Sequence, residues 1–270
     1  MTIGVFDSGV GGLWILKHLQ EALPLYNYVF FGDQVHVPYG DRSIKEIRDF
    51  SEEITKFLIN QDCKIIVIAC NTASTASLRY LREEFPNVFF VGMEPAVKPA
   101  VENTTTKKVG VLATPATFQG ELYNSVVERF AHDVEIYTDT CRGLVEQIEK
   151  GDFSGDETKN ILKKALLPMI EKKIDTIVLG CTHYPFIIPL IKEITKNKIK
   201  IIDPTEAIVR RVSFLINENN LNEVVNKKEK FDIYTSGFTD DLKIILIKLF
   251  NEEIKINKLE WDNKLKLNNK

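Results

Sequence analysis

The chain lacks any apolar run approaching the about 20 residues that a membrane span needs, and its start, Met1 to Asp7, lacks the basic and apolar regions of a secretory leader. A cytoplasmic protein with no membrane partner is expected. Basic excess is missing too. The 35 Lys and Arg face 38 Asp and Glu, for a net charge of −3, and the two signs are interleaved rather than gathered into a phosphate-tracking stripe. This argues against nucleic acid as the main partner. Cysteine is sparse: the four residues, at 63, 70, 141 and 181, form no Cys-x-x-Cys pair, so a disulfide framework is not expected. The compact ligand spacing of a zinc site is also absent.

What is present is enough apolar material, 44% of 270 residues, to bury cores for two domains. Short Val-, Ile- and Phe-rich runs at 2–6, 27–31, 64–69, 88–91, 108–112, 134–137, 175–180, 199–202 and 232–235 read as strands, and they alternate with segments of helical period. Ser43 and Glu46 have capping-box spacing ahead of an amphipathic helix to about residue 60, and a second such helix spans about 157–172, with Pro168 inside it. Asp203-Pro204-Thr205-Glu206 reads as the cap of another. The alternation predicts an α/β fold with parallel sheets flanked by helices.

The halves also resemble each other. The run Ile3-Gly4-Val5-Phe6-Asp7-Ser8 parallels Val109-Gly110-Val111-Leu112-Ala113-Thr114, and Ile65 to Thr72 parallels Thr176 to His183. The reading is a duplicated unit: a first α/β domain from 1–95 and 208–270, and a second from 96–207, with a crossover helix after Asp203. The stretch from Glu260 to Lys270 is polar and rich in Lys and Asn, and its end is expected to fray.

In such sheets ligands bind beyond the carboxyl ends of the strands. The loop Asp7-Ser8-Gly9-Val10-Gly11-Gly12 follows the first strand, where glycines and a helix start suit a carboxylate or phosphate. It matches neither the Walker loop nor the dinucleotide fingerprint, and a purely structural turn is the other reading. Cys70 ends one apolar strand before Asn71-Thr72-Ala73, and Cys181 ends the matching strand before Thr182-His183. Both places favour thiolate character. Cys63 and Cys141 have no such counterparts and read as structural. Two equivalent acid/base groups suit inversion at a carbon centre, one removing a proton from one face while the other delivers one to the opposite face. A zinc hydrolase built on Cys70, Cys181 and His183, a Cys-His hydrolase, and a two-lobed carboxylate-binding protein are the competing readings of these residues.

The motifs Phe6 to Leu13, Gly32-Asp33 with Pro38-Tyr39-Gly40, Ala69-Cys70-Asn71-Thr72-Ala73-Ser74, and Gly180-Cys181-Thr182-His183-Tyr184-Pro185 occur in one order across most of the length. Together they resemble the bacterial glutamate racemases of the aspartate/glutamate racemase family. The resemblance implies two pseudo-symmetric α/β domains with the active site between them, free glutamate as substrate, no cofactor and no metal. It also implies D-glutamate supply for peptidoglycan precursors, with a homodimer as the family default. Cys70 would act on the D-enantiomer and Cys181 on the L-enantiomer, assisted by Asp7 and His183 respectively. Asp7, Ser8, Tyr39, Gly40, Asn71, Thr72, Thr182 and His183 would hold the substrate, as would Thr117 by a looser match. The family's site glutamate aligns with Glu149, with Glu146 the competitor. Trp14, Gln34, His36 and Arg142 depart from the family pattern.

Overall fold

The computed structural model describes residues 1–94, 96–221, 231–237, 240–262 and 266–269. Among them, no helix is long and apolar enough to cross a membrane. They form two compact units, Met1–Met93 with Thr205–Lys270, and Glu94–Pro204.

Unit 1 opens with β1 (Thr2–Asp7), α1 (Gly12–Ala22), β2 (Asn27–Gly32), α2 (Ile44–Asn60), β3 (Cys63–Ile68), α3 (Asn71–Glu84) and β4 (Phe89–Gly92). Unit 2 contains α4 (Val97–Asn103), β5 (Lys108–Ala113), α5 (Pro115–Gln119), α6 (Glu121–Phe130), β6 (Glu135–Asp139), α7 (Leu144–Glu149), α8 (Asp156–Glu171), β7 (Thr176–Gly180), α9 (Ile188–Ile194) and β8 (Lys200–Ile202). The chain then resumes unit 1 with α10 (Thr205–Glu218), β9 (Phe231–Thr235), α11 (Asp240–Phe250), β10 (Ile256–Trp261) and β11 (Leu267–Asn269).

The sheet of unit 1 runs β11-β10-β9-β2-β1-β3-β4, and that of unit 2 runs β6-β5-β7-β8. Unit 2 thus repeats the order of the first four strands of unit 1, second-first-third-fourth. All pairings are parallel except β10 with β11. The central strands are apolar almost throughout because parallel sheets are covered on both faces, and every residue of β1 and β7 is buried. One face of the unit 1 sheet packs on α2 and α3, where Ile47, Phe50, Ile54 and Leu58 meet Phe6, Phe31 and Ile66. Each such side chain contributes about 1.5–3 kcal/mol on burial. The α2 helix starts as its sequence requires: Ser43 and Glu46 complete a capping box. Cys63 lies buried in this core.

Two strands of the later segment had no clear signal. β10 is an edge-side strand whose charged residues interrupt the apolar alternation, yet Leu259 is 2% exposed and Trp261 packs on the core. The fraying expected at the end of the stretch from Glu260 is corrected for Leu267–Asn269, which form β11. Glu260 and Trp261 belong to β10, and Leu267–Asn269 pair antiparallel with it. Lys266 Nζ reaches Glu53 Oε1 on α2 at 2.6 Å, so tertiary contacts hold what composition alone marks as loose. Residues 263–265 and 270 of that stretch lie outside the described residues.

Candidate active site

In a 2-1-3-4 sheet the winding direction reverses between the first and third strands, and the crevice beyond their carboxyl ends is where ligands bind. In unit 1 that point falls after β1 and β3, and in unit 2 after β5 and β7. The candidate residues fall into two groups, one in each unit, with Asp7, Ser8, Cys70, Asn71 and Thr72 at the first switch point and Thr117, Cys181, Thr182 and His183 at the second.

In unit 1, Asp7, Ser8, Cys70, Asn71 and Thr72 are all buried. The Cys70 thiol lies 3.7 Å from Ser8 Oγ and accepts from Ala73 N at 3.4 Å. Cys70 is thus the N-cap of α3, the end of a helix that attracts negative charge. Asn71 is 4% exposed, and among the described residues neither its Oδ1 nor its Nδ2 has a hydrogen-bond partner. A buried amide left open in this way costs about 1–3 kcal/mol, which points to a bound molecule as its partner. The Asp7 carboxylate behaves differently from the simple expectation of a glycine loop open to an anion. Its Oδ2 accepts from Gly9 N at 3.2 Å and Gly12 N at 3.1 Å, so Asp7 itself takes two of that loop's N–H groups. Gly12 is required here, because a Cβ would come within 2.8 Å of the Asp7 Cβ.

Tyr39 and Gly40 begin a short 3-10 turn, Tyr39–Asp41. The Tyr39 phenol is 1% exposed and donates to Asp33 Oδ2 at 2.7 Å. Burial first, then the Asp33 charge, pushes its pKa well above the ordinary phenol value. The phenol is committed, which leaves the backbone of Tyr39 and Gly40 as the part that can meet a ligand.

In unit 2, Cys181, Thr182, His183 and Thr117 are buried. His183 Nδ1 lies 3.7 Å from Cys181 Sγ, and its Nε2 lies 2.5 Å from Glu149 Oε1. Burial would lower the His183 pKa, but its hydrogen bonds to Cys181 and Glu149, with their negative charges, hold it well above the ordinary imidazole value. The geometry puts Glu149 against His183, while Glu146, one helical turn earlier, is exposed. Thr117 Oγ1 lies 3.0 Å from Thr114 Oγ1, the N-cap of α5, at the end of β5.

The two cysteines are not placed identically. Cys70 opens an α-helix directly, whereas Cys181 leads into a turn and a 3-10 segment, Tyr184–Ile187, before α9. Pro185 and Pro189, at the starts of these two segments, lack the N–H groups a continuous α-helix needs. Cys181 is partnered by an imidazole where Cys70 is partnered by a hydroxyl and a helix N–H.

Cys141 is buried beside this group at a positive φ of 44°, and burial followed by the Asp139 charge raises its thiol pKa far above the ordinary value. It is a poor nucleophile. Arg142, flanked by left-handed Cys141 and Gly143, points to solvent, so the lead into α7 is set by those neighbours. Trp14 packs against His18 of its own helix, the rings tilted by 41° with centroids 4.9 Å apart. Among the described residues, no three His, Cys, Asp or Glu side chains gather as a metal-ligating group. Asp33, directly after β2 in the Gly32-Asp33 motif, is not among the site residues expected from the sequence, yet four side chains converge on it.

A sequence profile of Asp/Glu/hydantoin racemases matches residues 15–212. The glutamate racemase of Pseudomonas aeruginosa is 40% identical over 258 residues, covering 96% of this chain and 97% of that protein. The crystal structure of Escherichia coli glutamate racemase, in complex with L-glutamate and the activator UDP-MurNAc-Ala, superposes with a TM-score of 0.85 at 30% identity, covering 99% of this chain and 98% of that one. That of Francisella tularensis glutamate racemase, in complex with D-glutamate, gives 0.82 at 32%, covering 95% and 96%.

Proposed function

This chain belongs to the Asp/Glu/hydantoin racemase family, and from that premise we propose that it interconverts L- and D-glutamate by moving one proton between two cysteines, supplying D-glutamate for peptidoglycan precursors. The observation that carries this reading is the repeated placement of Cys70 and Cys181 at the switch points of two sheets with the same strand order.

From L-glutamate, the Cys181 thiolate takes the α-proton: the C–H bond breaks, an S–H bond forms, and the electron pair stays on the α-carbon and its carboxylate. The Cys70 thiol then delivers its proton to the opposite face. The D-enantiomer exchanges the roles, which matches a base and an acid of the same type. His183, kept protonated by Glu149, offsets the charge of the Cys181 thiolate, and Glu149 thus acts through the imidazole. Asp7 and Ser8 serve the Cys70 side. The unpartnered Asn71 amide, Thr72, Thr117, Thr182 and the backbone of Tyr39 and Gly40 hold the substrate's carboxylates and amine. Donors fixed before the reaction stabilise the carbanion-like transition state without reorganising.

Incubation with L-glutamate or L-aspartate in deuterated water tests the reading. The expected result is D-glutamate carrying α-deuterium, with aspartate turned over far more slowly. Exclusive aspartate turnover, or glutamate binding with no solvent hydrogen at the α-carbon, would reject it.

A further inference from the structure

The loop carrying Tyr39 and Gly40 is held from behind by a buried carboxylate that the proton transfer does not use. Asp33 is 0% exposed and accepts four side-chain hydrogen bonds. Its Oδ2 takes Tyr39 OH at 2.7 Å and His36 Nδ1 at 2.9 Å. Its Oδ1 takes Ser236 Oγ at 2.7 Å and Trp261 Nε1 at 2.7 Å. One oxygen therefore serves the loop after β2, and the other serves residues some two hundred positions later in the chain.

The same two segments meet along a longer seam. Ser236 N donates to Gly32 O at 3.1 Å, Val35 N to Ser236 Oγ at 3.2 Å, and Thr235 Oγ1 to Gln34 Oε1 at 2.7 Å. The Trp261 ring sits against His36 and Phe50, with centroids 5.2 and 5.5 Å away. At Gly237 the fit is so close that a Cβ would collide with that of Gln34. Gln34 and His36, which break the family motif in sequence, are the residues that make these contacts.

We infer that Asp33 is a positioning residue through which Ser236 and Trp261 set the geometry of the Tyr39–Gly40 backbone. Fully buried carboxylates persist only when their lone pairs are satisfied, so taking away a donor from one oxygen disturbs how the other holds the loop. The inference rests on the glutamate racemase reading for what that loop binds. It concerns substrate holding and leaves the bases untouched.

Trp261→Phe keeps the ring contacts and removes one donor; Ser236→Ala removes the other together with the acceptor of Val35 N, so Trp261→Phe carries the test of transmission through Asp33. Each is expected to raise KM for L- and D-glutamate together by about fivefold or more, with kcat within about twofold, the pattern of lost uniform binding. Amide hydrogen exchange at residues 35–42 should speed up in both variants while exchange in β3 does not. Unchanged KM, a fall in kcat at constant KM, or unchanged exchange over 35–42 each overturns the inference, even where the variant's Tm drops. If the wild-type enzyme fails to turn over glutamate, the proposed function falls, and the exchange measurement alone then decides whether Asp33 holds the loop.

Discussion

Replacing Glu149 by Gln preserves length and one acceptor oxygen but deletes the charge that faces His183 Nε2 at 2.5 Å. A hydrogen bond to a charged group contributes about 1.5–3 kcal/mol, equal to roughly one to two units of imidazole pKa at about 1.36 kcal/mol each. With His183 buried beside Cys181, that stabilisation of the imidazolium is carried into the transition state, and its loss slows the reaction by about 10- to 150-fold. L- and D-glutamate are equally stable in water, so kcat/KM must fall by the same factor from either side. The asymmetry appears elsewhere. Abstraction by Cys181 becomes the slower half of the reaction, so the α-deuterium isotope effect rises with L-glutamate and shrinks with D-glutamate. Because the raised His183 pKa drops in the variant, the alkaline limb of kcat/KM moves to lower pH. Following both directions by circular dichroism, with protiated and deuterated substrate, measures all three quantities. A change of less than twofold with an unmoved pH limb would refute the role given to Glu149.

Cys70→Ala and Cys181→Ala should each reduce racemisation to near background, whereas Cys63→Ala, in the core beside Gly4, should lower Tm and leave kcat/KM nearly intact; substantial turnover by either active-site variant would sink the two-base assignment. Gly12→Ala should displace the Asp7 carboxylate, destabilising by about 1–3 kcal/mol through overpacking and slowing turnover, read by thermal melts and by rate. Asp175 ties the loop before β5 to the start of β7: partial burial opposes its charge, but hydrogen bonds from Thr104, Thr105 and Thr106 outweigh that and hold its pKa well below the carboxylate range. A depressed folded pKa contributes stability above the unfolded value of about 3.9 and loses it as pH falls through the folded one. Asp175→Asn should therefore destabilise by about 1–2 kcal/mol at neutral pH, after allowing for solvent screening, and the gap to wild type in urea midpoint should close below about pH 4.

Much of the fold was legible because parallel central strands announce themselves as apolar runs, and those runs locate their own ends. The strand ends single out Asp7, the last residue of β1, and Cys70 and Cys181, two positions past Ile68 and Leu179, while the pairing of the two cysteines comes from the likeness of the two halves. Glu149 and Glu146 could not be separated in sequence, because they sit one helical turn apart on α7 and only packing shows which faces His183. Asp33, Ser236 and Trp261 escaped for a different reason. Their association depends on β9 and β10 joining the edge left by β2, a contact no local pattern encodes. The end of the chain misled through composition: Lys- and Asn-rich text hid a hairpin held by Trp261 and the Lys266–Glu53 pair.

The interleaved chain path has a consequence for biosynthesis. On the ribosome, β1 to β4 emerge first, then all of Glu94–Pro204, and only afterwards β9, which covers the open side of β2. At about 5–20 residues per second, the roughly two hundred residues between β2 and β9 take about 10–40 s to make. For that interval the nascent chain presents Tyr28 to Phe31 as an unpaired apolar edge, the kind that templates aggregation. The completed middle unit needs no such wait, so the vulnerable species during synthesis is the amino-terminal half-sheet, and that is where a chaperone would be expected to bind.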